Sequence, residues 1–146
     1  MKPLRTENTE ITEKDLNEIS GMIVDAAFHV HRELGPGLLE SVYEVILADA
    51  LRQRGLTVAR QVPIPIRFEG KIFDEGFRAD LIVNKSIIVE IKSIESLARV
   101  HKKQVLTYLK LSGLKLGLLI NFGGELLKGN IERLVVGQIP NLKSSP

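Results

Sequence analysis

The sequence predicts an α/β sandwich, a mixed sheet of about four or five strands flanked by helices, and three observations predict it. Apolar residues repeat at helical spacing in two N-terminal stretches and again after Ser96. Two β-branched runs, Leu81 to Val83 and Ile87 to Ile91, flank a polar break at Asn84-Lys85-Ser86, the composition of a β-hairpin. Leu116 to Phe122 reads as an apolar run, the mark of a central strand covered on both faces. The order is helix, helix, three strands, helix, strand, with a short candidate strand at Ile131 to Val136.

The totals bound the class. At 146 residues the chain is expected to form one domain spanning 1–146, with an ordered core of about 11–136 and loose ends. Hydrophobic residues at 44 % and charged residues at 26 % are ordinary globular values. No apolar run approaches the ~20 residues that cross a bilayer, and the N-terminus shows no signal-peptide pattern, so a cytoplasmic protein without a membrane partner is expected. With no cysteine, disulfides, thiolate zinc sites, iron–sulfur clusters and cysteine nucleophiles are excluded. A net charge of +2 gives a weak overall field, so a nucleic-acid partner would need a local basic patch.

The first helix is expected from a capping box at Thr12-Glu13-Lys14-Asp15, with Ile11 and Leu16 as its hydrophobic staple, to about Leu34. Leu16, Ile19, Ile23, Ala26, Ala27, Val30 and Leu34 make its buried face. His29 and His31 stand about 200° apart around the helix, cannot chelate one ion, and read as surface or rim residues. Gly35-Pro36-Gly37 breaks the chain. A second helix runs from about Leu38 to Arg54, with Leu39, Val42, Tyr43, Ile46, Leu47, Ala50 and Leu51 buried. Glu40 falls in its first turn, where the helix dipole favours a carboxylate without any ligand role. A strand from about Thr57 to Phe68 contains Pro63 and Pro65, which cannot donate to a ladder and mark it as an edge. Glu69-Gly70 turns the chain back toward the hairpin.

Charge makes the hairpin unusual. Glu90 and Lys92 share a strand face with Ile88, while Ile87, Val89 and Ile91 take the other. A two-residue turn would set Asp80 opposite Val89, on the wrong face. A three-residue turn of Asn84, Lys85 and Ser86 pairs Val83 with Ile87 and Asp80 with Glu90, which is the register expected here. Directly opposed residues have Cβ atoms roughly 5 Å apart, so two carboxylates there repel unless a proton or a metal lies between them. Hard cations such as Mg²⁺ take carboxylate, water and phosphate oxygens, and Lys92 could stabilise an anionic transition state. A surface hairpin with an ordinary Glu-x-Lys pair fits the same letters.

A third helix is expected from Leu97 to Ser112, with Ser96 as N-cap and Gly113 as terminator. Leu97, His101, Gln104, Tyr108 and Leu111 share one stripe, more polar than a core helix needs, with Val105, Leu106 and Leu109 beside it. Arg99, Lys102, Lys103 and Lys110 lie elsewhere around the helix, as phosphate contacts or as a solvated basic face.

Asp80 and Glu90-Ile91-Lys92 on adjacent strands, between one helix and the next, resemble the PD-(D/E)XK phosphodiesterase superfamily. Gly37-Leu38-Leu39-Glu40-Ser41-Val42-Tyr43 matches the motif of its GxxExxY family, and Gln104-Val105-Leu106-Thr107-Tyr108 resembles the Q-x-x-x-Y motif of the RecB-like and phage-exonuclease branch. The likeness covers about Leu16 to Arg133. It implies a restriction-endonuclease-like αβββαβ core and a nuclease using Mg²⁺ or Mn²⁺, with DNA as the substrate. Asp80, Glu90, the main-chain carbonyl of Ile91 and Glu40 would be metal ligands, and Lys92 would contact the attacking water or the scissile phosphate. Gln104 and Tyr108 would face the same cleft, with His101 a weaker candidate. Ala79 stands where the motif has proline, a position that shapes the strand and ligates nothing. The alternative is a nucleic-acid-binding or partner-binding module with no turnover. A chain this short is also expected to use a homo-oligomer or a protein partner for substrate access.

Overall fold

The computed structural model describes residues 11–137; the loose ends expected at residues 1–10 and beyond Gly137 lie outside them. In chain order the elements are α1 (Glu13–Leu34), α2 (Glu40–Gln53), β1 (Val58–Phe68), β2 (Lys71–Val83), β3 (Ile87–Lys92), α3 (Arg99–Ser112), β4 (Leu116–Asn121) and β5 (Ile131–Val135). The strands form one mixed five-stranded sheet in the order β1-β2-β3-β4-β5, parallel only between β3 and β4. A parallel neighbour needs a crossover, and α3 supplies it. Among the described residues no helix is long and apolar enough to cross a membrane.

Side-chain alternation builds a core on each face of the sheet. Leu81, Val83, Ile87, Val89, Ile91, Leu116, Leu118 and Ile120 point toward α1 and α2. Ile88 and Leu119 point toward Val105, Tyr108 and Leu109 of α3. All six residues of β4 are buried, as its apolar run predicts. Gly117 lets α3 approach closely, since a Cβ there would stand 2.7 Å from Val105 Cγ1.

α1 starts where expected: Asp15 N–H donates to Thr12 Oγ1 at 3.0 Å, and Thr12 N–H donates back to Asp15 Oδ2. Two side-chain assignments on α1 are corrected. His31 is 7 % exposed, not a rim residue; its ring meets the Gly124 carbonyl at 2.9 Å, which satisfies a polar group inside the core. Leu34, in the last turn, is 42 % exposed rather than buried. The second and third helices each begin two residues later than the sequence suggests, at Glu40 and Arg99. Ser96 does not cap α3; Ala98 N–H instead donates to His101 Nδ1 at 2.8 Å. On α2 the buried face is Tyr43, Glu44, Leu47, Ala48 and Leu51, while Leu39 and Val42 face solvent. Stacking of Tyr43 on Phe122, with ring centroids 4.5 Å apart, fixes that rotation of the helix.

β1 is the sheet edge that Pro63 and Pro65 predict. The hairpin uses the three-residue turn, with Val83 opposite Ile87, Ile82 opposite Ile88 and Leu81 opposite Val89. Asn84 and Lys85 take left-handed backbone, φ 50° and 55°, and Asn84 Oδ1 anchors the turn by accepting Thr57 N–H at 2.8 Å.

Candidate active site

The β2–β3 ladder stops at Leu81 and Val89, one pair short of Asp80 and Glu90. There the carboxylates replace the ladder. Asp80 N–H donates to Glu90 Oε2 at 2.7 Å, and Ile91 N–H donates to Asp80 Oδ2 at 2.8 Å. Each acid thus accepts a main-chain bond from the opposite strand, and the two side chains are locked side by side where the strands part.

Electrostatics at this point is unbalanced. Burial, and then the charge of Asp80, push the Glu90 carboxyl up to about 8. Burial also raises the Asp80 carboxyl, against the Ile91 N–H, which favours its charged form. Lys92 lies near enough to lower both, by less than burial raises them. Tyr108, packed on Phe77 with ring centroids 4.8 Å apart, has its phenol raised to about 12 by burial and by the negative charges of Glu90 and Asp80. Two acids held together with too little positive charge form a site that a cation suits.

From the other side, α2 contributes two acids. Glu40 Oε2 accepts Ser93 N–H at 3.2 Å, and Ser93 Oγ donates to the Leu38 carbonyl at 2.6 Å, which fastens the start of α2 to the end of β3. Glu44 is 4 % exposed; it pairs with Arg60 at 3.0 Å and accepts from Gln61 Nε2 at 2.7 Å. Glu40, Glu44, Gln61, Asp80 and Ser93 line one open cleft of about 540 Å³.

Of the residues expected in the site, Asp80 and Glu40 line this cleft, while Glu90, Lys92 and Tyr108 stand close enough to Asp80 for their charges to interact. Gln104 is half-buried one turn before Tyr108 on the same helix face. The basic residues of α3 divide. Arg99, Lys103 and Lys110 are exposed, whereas Lys102 is paired with Glu132 at 2.8 Å. Glu44, Gln61 and Ser93 go unforeseen in the sequence. Glu44 alone carries a signal, since it lies four residues beyond Glu40 on one helix face; nothing in the letters reveals the other two.

The donor set fits a hard divalent cation that keeps water in its shell. Among the described residues, no three His, Cys, Asp or Glu side chains stand close enough to grip one ion by themselves. Mg²⁺ needs no such cage, being held by one or two carboxylates together with water and substrate phosphate. Asp80 and Glu90 are two carboxylates of the kind such a cation would take.

A family model described as the PD-(D/E)XK nuclease superfamily matches residues 17–134. No curated protein and no solved structure matches the chain. The match takes in both faces of the sheet, the parted strands and the helices α2 and α3. The chain belongs to the PD-(D/E)XK nuclease superfamily.

Proposed function

We propose that the protein is a Mg²⁺- or Mn²⁺-dependent nuclease that hydrolyses phosphodiester bonds, with DNA as its substrate. The carrying observation is the carboxylate pair, Asp80 and Glu90, locked together where β2 leaves β3 with Lys92 on the same face. Asp80, Glu90 and the Ile91 carbonyl would hold the cation, with Glu40 of α2 a further ligand. When bound, the cation acidifies a water and neutralises charge on the phosphate. Lys92 supplies the further positive charge that the transition state demands. Tyr108 and Gln104 border the substrate on the α3 side, and Arg99, Lys103 and Lys110 contact backbone phosphates. Lys102 contributes less, because Glu132 already neutralises it.

Within the superfamily we assign the chain to the GxxExxY family, on Gly37, Glu40 and Tyr43, and to the superfamily's RecB-like and phage-exonuclease-like branch, on Gln104 and Tyr108. Tyr43 then serves the site by shaping the loop that presents Glu40, since its hydroxyl donates to the Gly35 carbonyl and accepts Leu38 N–H at 3.2 Å.

The test is a cleavage assay on labelled linear and circular DNA, single- and double-stranded, and on RNA, with Mg²⁺, Mn²⁺ or EDTA. We expect metal-dependent cleavage that falls by about 10²–10³ in Lys92→Ala. Cleavage that survives EDTA, or that Lys92→Ala leaves unchanged, overturns the assignment. Absence of cleavage on every substrate, with nucleic acid still bound, makes the protein a binding module.

A further inference from the structure

Gln61 holds a backbone conformation that its residue type disfavours. Its φ is 52°, in the left-handed region, within a strand. Arg60 pairs with Leu81 and Val62 with Ala79, but the pair between them, Gln61 with Asp80, is missing from the ladder. Both strands around Asp80 are therefore interrupted at the same level, β3 by the carboxylates and β1 by the turned Gln61.

The turned residue places its amide between two acids. Nε2 donates to Glu44 Oε1 at 2.7 Å and to Asp80 Oδ1 at 3.3 Å. Facing two carboxylates, the side chain can only present its NH₂ end, so both amide hydrogens are used. Glu44 is itself fixed, because Arg60 Nε and a second guanidinium nitrogen each reach its Oε2 at 3.0 Å. Asp80 then has a donor on each oxygen, Gln61 on Oδ1 and the Ile91 amide on Oδ2. A carboxylate oxygen offers two lone-pair sites, so Oδ1 keeps one for a cation.

We infer that Gln61 is a positioning residue, which with Glu44 and Arg60 fixes the orientation of the Asp80 carboxylate for metal. The inference rests on Asp80 being a metal ligand, as proposed above. Partners that orient a ligating carboxylate typically contribute 10–100-fold in metal affinity. Backbone strain of this kind is kept where surrounding contacts impose it, and here those contacts are Glu44 and Asp80.

Gln61→Gly keeps the cost in stability small, because glycine accepts the left-handed backbone without strain while the amide and its two hydrogen bonds are lost. Mn²⁺ binding would be measured by calorimetry on wild type, Gln61→Gly, Asp80→Asn and the double variant. Exchange of the Ile91 amide would be followed by NMR in the metal-free proteins. The expected result is a 10–100-fold weaker Mn²⁺ affinity in Gln61→Gly. Unfolding in EDTA should become easier by no more than a factor of about 5–30 in its equilibrium constant, about 1–2 kcal/mol, since relief of the left-handed backbone offsets part of the lost hydrogen bonding. Ile91 amide exchange should be about five- to tenfold faster relative to its β3 neighbours as Asp80 loses its fixed orientation. The double variant should bind no more weakly than Asp80→Asn. Equal Mn²⁺ affinity in wild type and Gln61→Gly overturns the inference. If wild type binds no Mn²⁺, the metal assignment fails and the exchange measurement decides alone: faster exchange upholds the orienting role, and unchanged exchange overturns it.

Discussion

Glu90 is 3 % exposed, and its carboxyl is raised from 4.5 to about 8, first by burial and then by Asp80. Between those values the folded protein binds a proton that the unfolded chain does not, so stability must fall as pH rises through that window. Denaturation in EDTA at pH 5 and pH 8.5 should show the metal-free protein losing roughly 2–4 kcal/mol at the higher pH. Glu90→Gln should flatten that dependence, and a wild type equally stable at both values would refute it. At this scale the sequence is a good guide where periodicity speaks. Alternation along β3 puts Glu90 and Lys92 on one face, while the length of the Asn84-Lys85-Ser86 turn, which decides whether Asp80 faces Glu90, follows only if the two carboxylates are taken to belong together. It is a poor guide where a side chain answers a distant partner. Gln61 reads as one more strand residue, because only Glu44 and Asp80, remote in the chain, give its left-handed backbone a purpose. His31 reads as a rim residue because the Gly124 carbonyl that satisfies it lies ninety-three positions away.

Two short connections carry the elements that frame the cleft. Tyr43 ties the Gly35–Leu38 bend to α2, and Tyr43→Phe keeps the ring stack on Phe122 while losing both hydroxyl bonds. A loss of about 1–2 kcal/mol in chemical denaturation is expected, with a larger fall in Mn²⁺ affinity than stability alone explains if Glu40 reaches the metal. Asn121, fully buried at the end of β4, does the same for the chain leaving β3. Its amide accepts Ile94 N–H at 3.0 Å, donates to the Ile94 carbonyl at 3.0 Å and accepts Gly123 N–H at 3.0 Å. Asn121→Ala strands these groups and should cost about 2–3 kcal/mol, measured as a lower denaturation midpoint with an unchanged slope. Helix and strand identities follow from the letters throughout, whereas helix starts do not. α2 and α3 lack a Ser, Thr, Asp or Asn cap, with Leu39 and Ala98 at those positions, so their first turns are set by the loop contacts of Tyr43 and by the His101 ring. The rotation of α2 is equally hidden, since apolar residues line both Tyr43-Leu47-Leu51 and Leu39-Val42, and partners distant in sequence, the Phe122 ring among them, select the first.

For the whole molecule, a cation bound only by the folded state is a stabiliser. Mn²⁺ at one hundred times its dissociation constant should add about 2.7 kcal/mol, a rise of roughly 5–10 °C in Tm for a chain of 146 residues. Asp80→Asn combined with Glu90→Gln should abolish the rise, and a rise that persists would place the ion elsewhere. The architecture at this scale is legible: a hairpin, a crossover helix and one strand apolar on both faces leave little choice but a mixed sheet with helices on either side. The parting of β2 from β3 is not legible, because it arises from side chains taking over main-chain bonds. The two faces of β3 carry a consequence for folding. Were β3 to slide by one residue along β2, Glu90 and Lys92 would turn into the apolar layer now filled by Ile87, Val89 and Ile91, where Glu90 would lose the Asp80 N–H and Lys92 would lose water. The acid beside Asp80 thereby rejects misaligned hairpins while the chain folds, so the register that assembles the sheet is also the one that brings the two carboxylates together.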